Sequence, residues 1–231
     1  FFWRYISSIH SFCIRFKIYY SIYIKQISRL LKEIGVNINS VPVLDLYNRK
    51  SSNVIGNRAY SSNPLIVSNI GNYCIKKYHD NKIATIIKHI PGHGSAKVDS
   101  HKKTPYIHTK IDKLNKFDFY PFKQKKSIFA MTAHIIYTNI DKKNTATHSS
   151  KVIKIIRNKI KFKNLLISDD ISMKSLKYST LINTKKAFEA GCDLVLHCNT
   201  NYKEMVIVAN NSPLVNKFII KKTSQFYKII S

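Results

Sequence analysis

Between positions 88 and 101 the chain reads Lys88-His89-Ile90-Pro91-Gly92-His93-Gly94-Ser95-Ala96-Lys97-Val98-Asp99-Ser100-His101. Asp99 and His101 stand two apart. A carboxylate beside an imidazole orients the ring and stabilises its charged form, which makes a general acid/base that works near neutral pH. A second candidate follows the apolar run Leu165-Leu166-Ile167, where Ser168 leads to Asp169 and Asp170. A carboxylate at a strand end can serve as a nucleophile that forms a covalent intermediate. Spacing alone leaves plainer readings open. An Asp-x-His pair can be a solvated loop pair, and Asp-Asp after a strand can cap the next helix.

Other chemistries find less support. His89, His93, His101 and His134 suggest a metal, but no H-x-x-x-H falls on a helix, and His89 and His93 straddle Pro91-Gly92. Gly92-x-Gly94 lacks the third glycine and following helix of a dinucleotide site, and no G-x-S-x-G occurs. Cys13, Cys74, Cys192 and Cys198 form no C-x-x-C pair, so they read as reduced thiols of a cytosolic protein. Charged residues interrupt the aromatic N-terminal stretch, which excludes a membrane helix there, and no small-residue cleavage site follows it. Lys and Arg number 39 against 12 Asp and Glu, a net charge of +27. Such a balance raises a nucleic-acid binder as a rival reading. The lysines are scattered, however, among abundant Ile, Asn and Tyr, as AT-rich coding bias would leave them.

The elements that must position these groups alternate. Ile24, Ile27, Leu31 and Ile34 predict a helix from residue 21 that stops at Gly35. Residues 41–46 predict a strand, with Asp45 a solvated carboxylate at its end. Asn63 and Pro64 read as N-cap and first helical residue, with Val67, Ile70, Gly71, Cys74, Ile75 and Tyr78 on the inward face. Residues 83–87, 128–132, 165–167 and 193–196 predict further strands. Helices follow Ser149 or Ser150, over 185–190 up to Gly191, and over 202–209. Residues 102–126 read as a basic irregular segment, and the tail from Pro213 has no assigned structure. Alternating strands and helices without hairpin signals predict a parallel sheet. Titratable residues gather at the strand C-termini: Asp45, Lys88, His89, His134, Asp169, Asp170, His197 and Asn199. That is the face on which a (β/α) barrel carries its active site, and a closed barrel has about eight strands against the five visible here.

Taken together, these motifs resemble the glycoside hydrolase family 3 β-N-acetylhexosaminidases, the bacterial β-N-acetylglucosaminidases of peptidoglycan recycling. The stretch 88–94 with Val98-Asp99-Ser100-His101 is similar to that family's K-H-F-P-G-H-G…D-S-H signature. Ile167-Ser168-Asp169-Asp170-Ile171-Ser172-Met173 is similar to its S-D-D-L-S-M motif. Pro42-Val43-Leu44-Asp45, Val54-Ile55-Gly56-Asn57-Arg58, Met131-Thr132-Ala133-His134 and 190–196 fall in the family's order. The resemblance implies a (β/α)8 TIM-barrel-like α/β fold over a single domain, residues 1–231. It implies Asp169 as nucleophile, with retention of configuration, His101 as acid/base and Asp99 as its dyad partner. Arg58, Lys88 and His89 would bind the terminal N-acetylglucosamine. No metal or organic cofactor is implied, and the expected partner is a peptidoglycan-derived amino sugar met by a cytoplasmic monomer.

Departures from the family pattern are Ile90 for Phe, Ser95-Ala96 for Asp-Thr, and Asn57 with Ala59-Tyr60 around Arg58. Family members also carry an upstream D-Q-E-G-G-R-V segment whose Asp and Arg bind substrate. These 231 residues contain nothing like it, so the barrel is expected to be incomplete at its N-terminus.

Overall fold

A computed structural model describes residues 9–49, 55–96, 98–100 and 103–231, with side chains from residue 15 onward. In chain order the elements are α1 (Ile9–Glu33), β1 (Ile38–Asn39), α2 (Pro64–Asp80), β2 (Ala84–Ile90), β3 (Tyr106–Ile107), α3 (Ile111–Lys116), β4 (Phe129–Thr132), β5 (Ile136–Tyr137), α4 (Ser150–Asn158), β6 (Leu165–Asp170), α5 (Thr180–Ala190), β7 (Leu194–Leu196), α6 (Tyr202–Asn210) and α7 (Lys217–Ile230). Strands β1-β2-β4-β6-β7 form one five-stranded parallel sheet, and β3 pairs with β5 in a separate parallel ribbon. Strands joined in sequence order through helices, with every C-terminus on one face, make part of a TIM-like barrel.

Two strands break register where the chemistry is expected. Along β2 the pairing passes from Lys88 opposite Met131 to Ile90 opposite Thr132, which leaves His89 as the extra residue. Along β6 it passes from Ile167 opposite Leu194 to Asp170 opposite Leu196, an irregularity that contains Asp169. Bulges of this kind re-aim side chains and are common beside active sites.

The main core fills the interval between sheet and helices. Leu44, Ile87, Ile90, Ala130, Val152, Ile156 and Leu166 are all fully buried in it. The opposite, N-terminal end of the strands is sealed by α7, whose Ile219 and Phe226 pack with Ala84, Phe129 and Leu165. Asn63 caps α2 as expected, accepting from the Leu65 and Ile66 N–H groups at 2.9 and 3.3 Å. Ser149 is the cap of α4, and Gly191 ends α5 in the left-handed region.

Several elements differ from the sequence reading. Helix α1 begins at Ile9 rather than at 21, because its early turns carry aromatic residues with no single apolar stripe. The strand expected over 41–46 is only a β-bridge between Val43 and Lys88, flanked by Leu44 N–H to Lys88 O and Lys88 N–H to Pro42 O. Pro42 has no N–H to give to a ladder. Residues 103–126 are ordered rather than irregular. Leu114, Phe119 and Phe122 there are fully buried in the main core. Three inward anchors, spaced five and then three apart, show neither a helical nor a strand period. The tail forms α7.

Candidate active site

The segment that follows the Val43 bridge places Asp45 at the centre of a buried cluster. Its carboxylate accepts the His89 N–H at 3.2 and 3.3 Å, the His89 Nδ1–H at 2.6 Å and the His93 N–H at 2.6 Å. Asp45 is completely buried, which corrects the expectation of a solvated carboxylate. Burial alone would raise its pKa. The charge and hydrogen bond of His89, with those of His93, outweigh burial and hold the carboxyl below its usual range. A carboxylate that collects several N–H donors behaves this way. Asp45 therefore fixes the strand end that carries His89 and the first turn of the loop beyond it. With Nδ1 committed, the other imidazole nitrogen, Nε2, lies on the far edge of the ring.

Asp169 stands half-buried at the end of β6, its Oδ1 accepting the Asp170 N–H at 2.8 Å. Asp170 turns the other way. It accepts the Ser172 N–H at 3.0 Å, the Ser172 hydroxyl at 2.6 Å and the Cys198 N–H at 3.1 Å, so it joins the ends of β6 and β7. The helix-cap reading of the Asp-Asp pair thus holds for Asp170 only as the cap of a turn, since α5 is capped by Ser179. His134, at the end of β4, gives its Nε2–H to the Asp170 carbonyl at 2.9 Å and accepts the Thr147 hydroxyl at Nδ1 at 2.7 Å. Burial holds His134 neutral, against the opposing charge of Asp169.

Lys88 shows how these ends converge. Burial lowers its pKa and so does the nearby Arg58 guanidinium, while the carboxylates of Asp169 and Asp45 oppose the drop. Lys88 therefore feels the charges of Arg58, Asp45 and Asp169, which come from three other segments. Lys88 Nζ also donates to Ser40 Oγ at 3.0 Å. Arg58 ends a short 3-10 turn, Gly56–Arg58, on the exposed rim. Tyr60 is directed to Tyr20 of α1, with the hydroxyls 2.6 Å apart.

The loop after β2 is held by close backbone approach. A Cβ on Gly92 would lie 2.7 Å from the Asp118 carbonyl oxygen, and one on Gly94 would lie 2.8 Å from the Leu46 nitrogen. Gly92 also has φ +139°, where glycine is favoured. Tyr137 donates its hydroxyl to the Gly92 carbonyl at 2.5 Å, and Ser95 donates to Asp118 Oδ1 at 2.9 Å. His93 pairs through Nε2 with Ser100 Oγ at 3.1 Å, and burial pushes its pKa down to about 4. Asp99 is half-buried at the loop's far end, where its carbonyl accepts the Lys103 N–H at 3.0 Å. His101, its expected dyad partner, lies outside the described residues, as does Val54 of the Arg58 motif.

Asp118 is a site neighbour that the sequence does not reveal. Burial pushes its carboxyl up to about 6, with the charge of Asp45 adding to the rise and the Ser95 hydroxyl opposing it. It lies in the segment expected to be irregular, and only the polar Ser95 hints that the loop needs an acceptor. His197, at the end of β7, is held at Nε2 by Glu204 at 2.9 Å, with Asn199 on the same carboxylate at 2.5 Å. Among the described residues no group of three or more His, Cys, Asp or Glu side chains could hold a metal. None of the described helices is long and apolar enough to cross a membrane.

Known proteins share this fold. A β-hexosaminidase of Idiomarina loihiensis is 32% identical over 173 residues, 73% of this chain and 52% of that protein. NagZ from Neisseria gonorrhoeae, in complex with N-trifluoroacetyl-D-glucosamine, superposes with a TM-score of 0.77 at 28% identity, covering 89% of this chain and 61% of that one. A glycoside hydrolase family 3 β-N-acetylglucosaminidase from Paenibacillus sp. str. FPU-7 has the same fold, with a TM-score of 0.79 at 24% identity over 89% of this chain and 42% of that one. The chain spans about half the length of the curated relatives it matches. Residues 22–225 match the glycosyl hydrolase family 3 N terminal domain, and the chain belongs to that family.

Proposed function

We propose that this chain carries the catalytic barrel of a retaining β-N-acetylhexosaminidase that removes terminal β-linked N-acetylglucosamine from peptidoglycan fragments such as GlcNAc-1,6-anhydro-MurNAc. The observation that carries the reading is that Lys88, near the C-terminal end of β2, feels the charges of Asp169, Asp45 and Arg58 together. Asp169 attacks the anomeric carbon and forms a glycosyl-enzyme, while His101 protonates the leaving oxygen. His101 then takes a proton from water, whose oxygen displaces Asp169 with net retention. Asp99 steadies the charged imidazole between the two steps. Lys88, Arg58 and the Nε2 edge of His89 hold the sugar hydroxyls, and each such charge-assisted bond is worth about 1.5–3 kcal/mol. The half-buried setting of Asp169 suits a nucleophile that must be ionised yet reachable. The reading places the reaction in the cytoplasm, in a monomer, without metal or organic cofactor.

The test is release of p-nitrophenol from an aryl β-N-acetylglucosaminide. Activity that survives Asp169→Ala undiminished overturns the assignment.

A second reading has a specific observation behind it, namely the half-length match to the relatives. On that reading the chain keeps the motifs but is inactive alone. Thermal unfolding separates the two, since a cooperative transition marks a self-sufficient unit and its absence marks a fragment.

A further inference from the structure

Beside the loop that follows β2 lies a cavity of about 530 Å³. Three segments wall it: Leu46 to Arg49, the pair Gly94 and Ser95, and α3 with its exit from Lys113 to Asp118. Small-molecule sites usually span about 300–1,000 Å³, so the size is that of a site for an organic ligand. The walls are already fixed against one another. Gly94 lies so close to Leu46 that a Cβ there would come within 2.8 Å of the Leu46 nitrogen. The Ser95 hydroxyl donates to Asp118 Oδ1 at 2.9 Å. A cavity pre-formed in this way needs little ordering when a ligand enters.

The side chains around it supply two kinds of contact. Tyr47 and Phe117 line the cavity yet keep 37% and 43% of their surface exposed. Rings left this open gain from covering by an apolar face. Arg49 and Lys113 also line it, and both are exposed. Asp118, the one carboxyl in the lining among the described residues, is only 4% exposed and already holds Ser95. The accessible charge of the cavity is therefore positive. Asp118 adds a further mark of a binding site, because burial pushes its carboxyl up to about 6, and perturbed acids gather in functional clefts.

We propose that this cavity binds a small organic carboxylate, with Arg49 and Lys113 on the charged group and Tyr47 and Phe117 against its apolar face. A guanidinium matches a carboxylate in plane and charge. The two rings favour an organic anion over an inorganic one, which has no apolar face to cover them. Ser95 stands four residues before Asp99 on the same loop. A ligand seated against Gly94 and Ser95 restrains the loop that carries Asp99 and His101. That this loop supplies the acid/base rests on the reading above; the binding does not.

A backbone NMR titration of the whole chain tests the site without turnover. Two carboxylated probes are added separately, N-acetylmuramic acid and N-acetyl-glutamate amide. Each is compared with a neutral counterpart, N-acetylglucosamine and N-acetyl-glutamine amide. The expected result is a set of shifts at Tyr47, Asn48, Gly94 and Phe117 with at least one carboxylated probe, which binds about tenfold or more tightly than its neutral counterpart. Binding of the muramic acid alone assigns a sugar acid, and binding of the glutamate alone assigns an acidic peptide. The preference should vanish when Arg49→Gln and Lys113→Gln are combined, and should persist in Asp169→Ala. No shifts at these residues with either carboxylated probe, or equal affinity within both pairs, overturns the proposal. A preference that survives the combined substitution overturns it too. Each outcome stands whether or not the protein cleaves a glycoside.

Discussion

Asp45 and His89 meet twice: the carboxylate accepts the His89 backbone N–H at 3.2 Å and the imidazole Nδ1–H at 2.6 Å. The two bonds come from opposite ends of one residue, so they fix both the bulge in β2 and the plane of the ring. The sugar-binding role proposed for His89 needs that restraint, because its Nε2 direction is otherwise free to rotate about the side chain.

Removing the carboxylate should therefore do two kinds of damage. Asp45→Ala leaves three buried donors without an acceptor, and the expected loss of stability is about 3–5 kcal/mol. The folded pKa of Asp45 is depressed below 3.8. Its contribution is thus complete above pH 3.8 and disappears only as pH falls through the lower folded value. Urea unfolding of the parent and variant at pH 7 should show the full difference, and the gap should narrow only below pH 3.8. A gap that closes already near pH 6 would contradict the assignment.

Acid stability above that range is governed by other groups. His93 and His148 are both held at about 4 by burial, against an unfolded value of 6.5. Between pH 6.5 and 4 the unfolded chain binds protons that the folded chain refuses, so both histidines make stability fall on acidification. Asp118 acts in the opposite sense, because its folded value of about 6 lies above the unfolded 3.8. In that window the folded protein holds a proton that the unfolded chain loses. His79 and His134, also lowered by burial, act with His93 and His148 against Asp118, so net stability should drop as pH falls from 6.5 to 4. Asp118→Asn should make the drop steeper and should raise stability at pH 7 by up to about 3 kcal/mol. Denaturant titrations across this range check both signs.

The glycines of the 91–94 turn give a steric prediction. Gly94→Ala drives a methyl against the Leu46 backbone, which has no flexible end to yield. The expected cost is about 1–3 kcal/mol, with displacement of the loop that carries Asp99. Gly35 has φ +76°, but a methyl group added there would meet nothing within 4 Å. Gly35→Ala should therefore cost about 1 kcal/mol and leave any activity unchanged. Melting curves of the two variants make the comparison.

Arg157 gives a contrast far from the proposed chemistry. Its guanidinium meets Asp193 Oδ2 at 2.6 Å and donates to the Phe162 and Asn164 carbonyls at 3.2 and 2.5 Å. The same Asp193 oxygen accepts the Leu166 N–H at 2.7 Å, so the pair clamps the N-terminal ends of β6 and β7. Arg157→Met should lower stability by about 2 kcal/mol while the KM for an aryl glycoside stays unchanged. Urea unfolding and steady-state kinetics of the variant check the two halves.

What is legible in the sequence is what has a period or a motif. The strands around Ile87, Ala130 and Leu166 are short apolar runs, and Asn63-Pro64 and Gly191 are strong local stops, so the sheet and its helices are visible there. The polar strand ends identify Lys88, His89 and Asp169 as neighbours because a parallel sheet brings its C-termini together. Asp45 reads as solvated because a lone carboxylate carries no sign of the backbone N–H groups that collect around it. Residues 114–122 escape detection because single buried anchors in a basic segment have no spacing pattern. Both register shifts, at His89 and beside Asp169, leave no trace either, since a bulge depends on the partner strand as much as on its own residues.

Every functional step proposed above depends on Asp169 as the nucleophile. The rate of p-nitrophenol release from an aryl β-N-acetylglucosaminide decides it, measured for the protein and for Asp169→Ala, with both first shown to unfold cooperatively. The expected result is turnover by the parent and a fall of about a thousandfold or more in the variant. Equal rates in the two would contradict it.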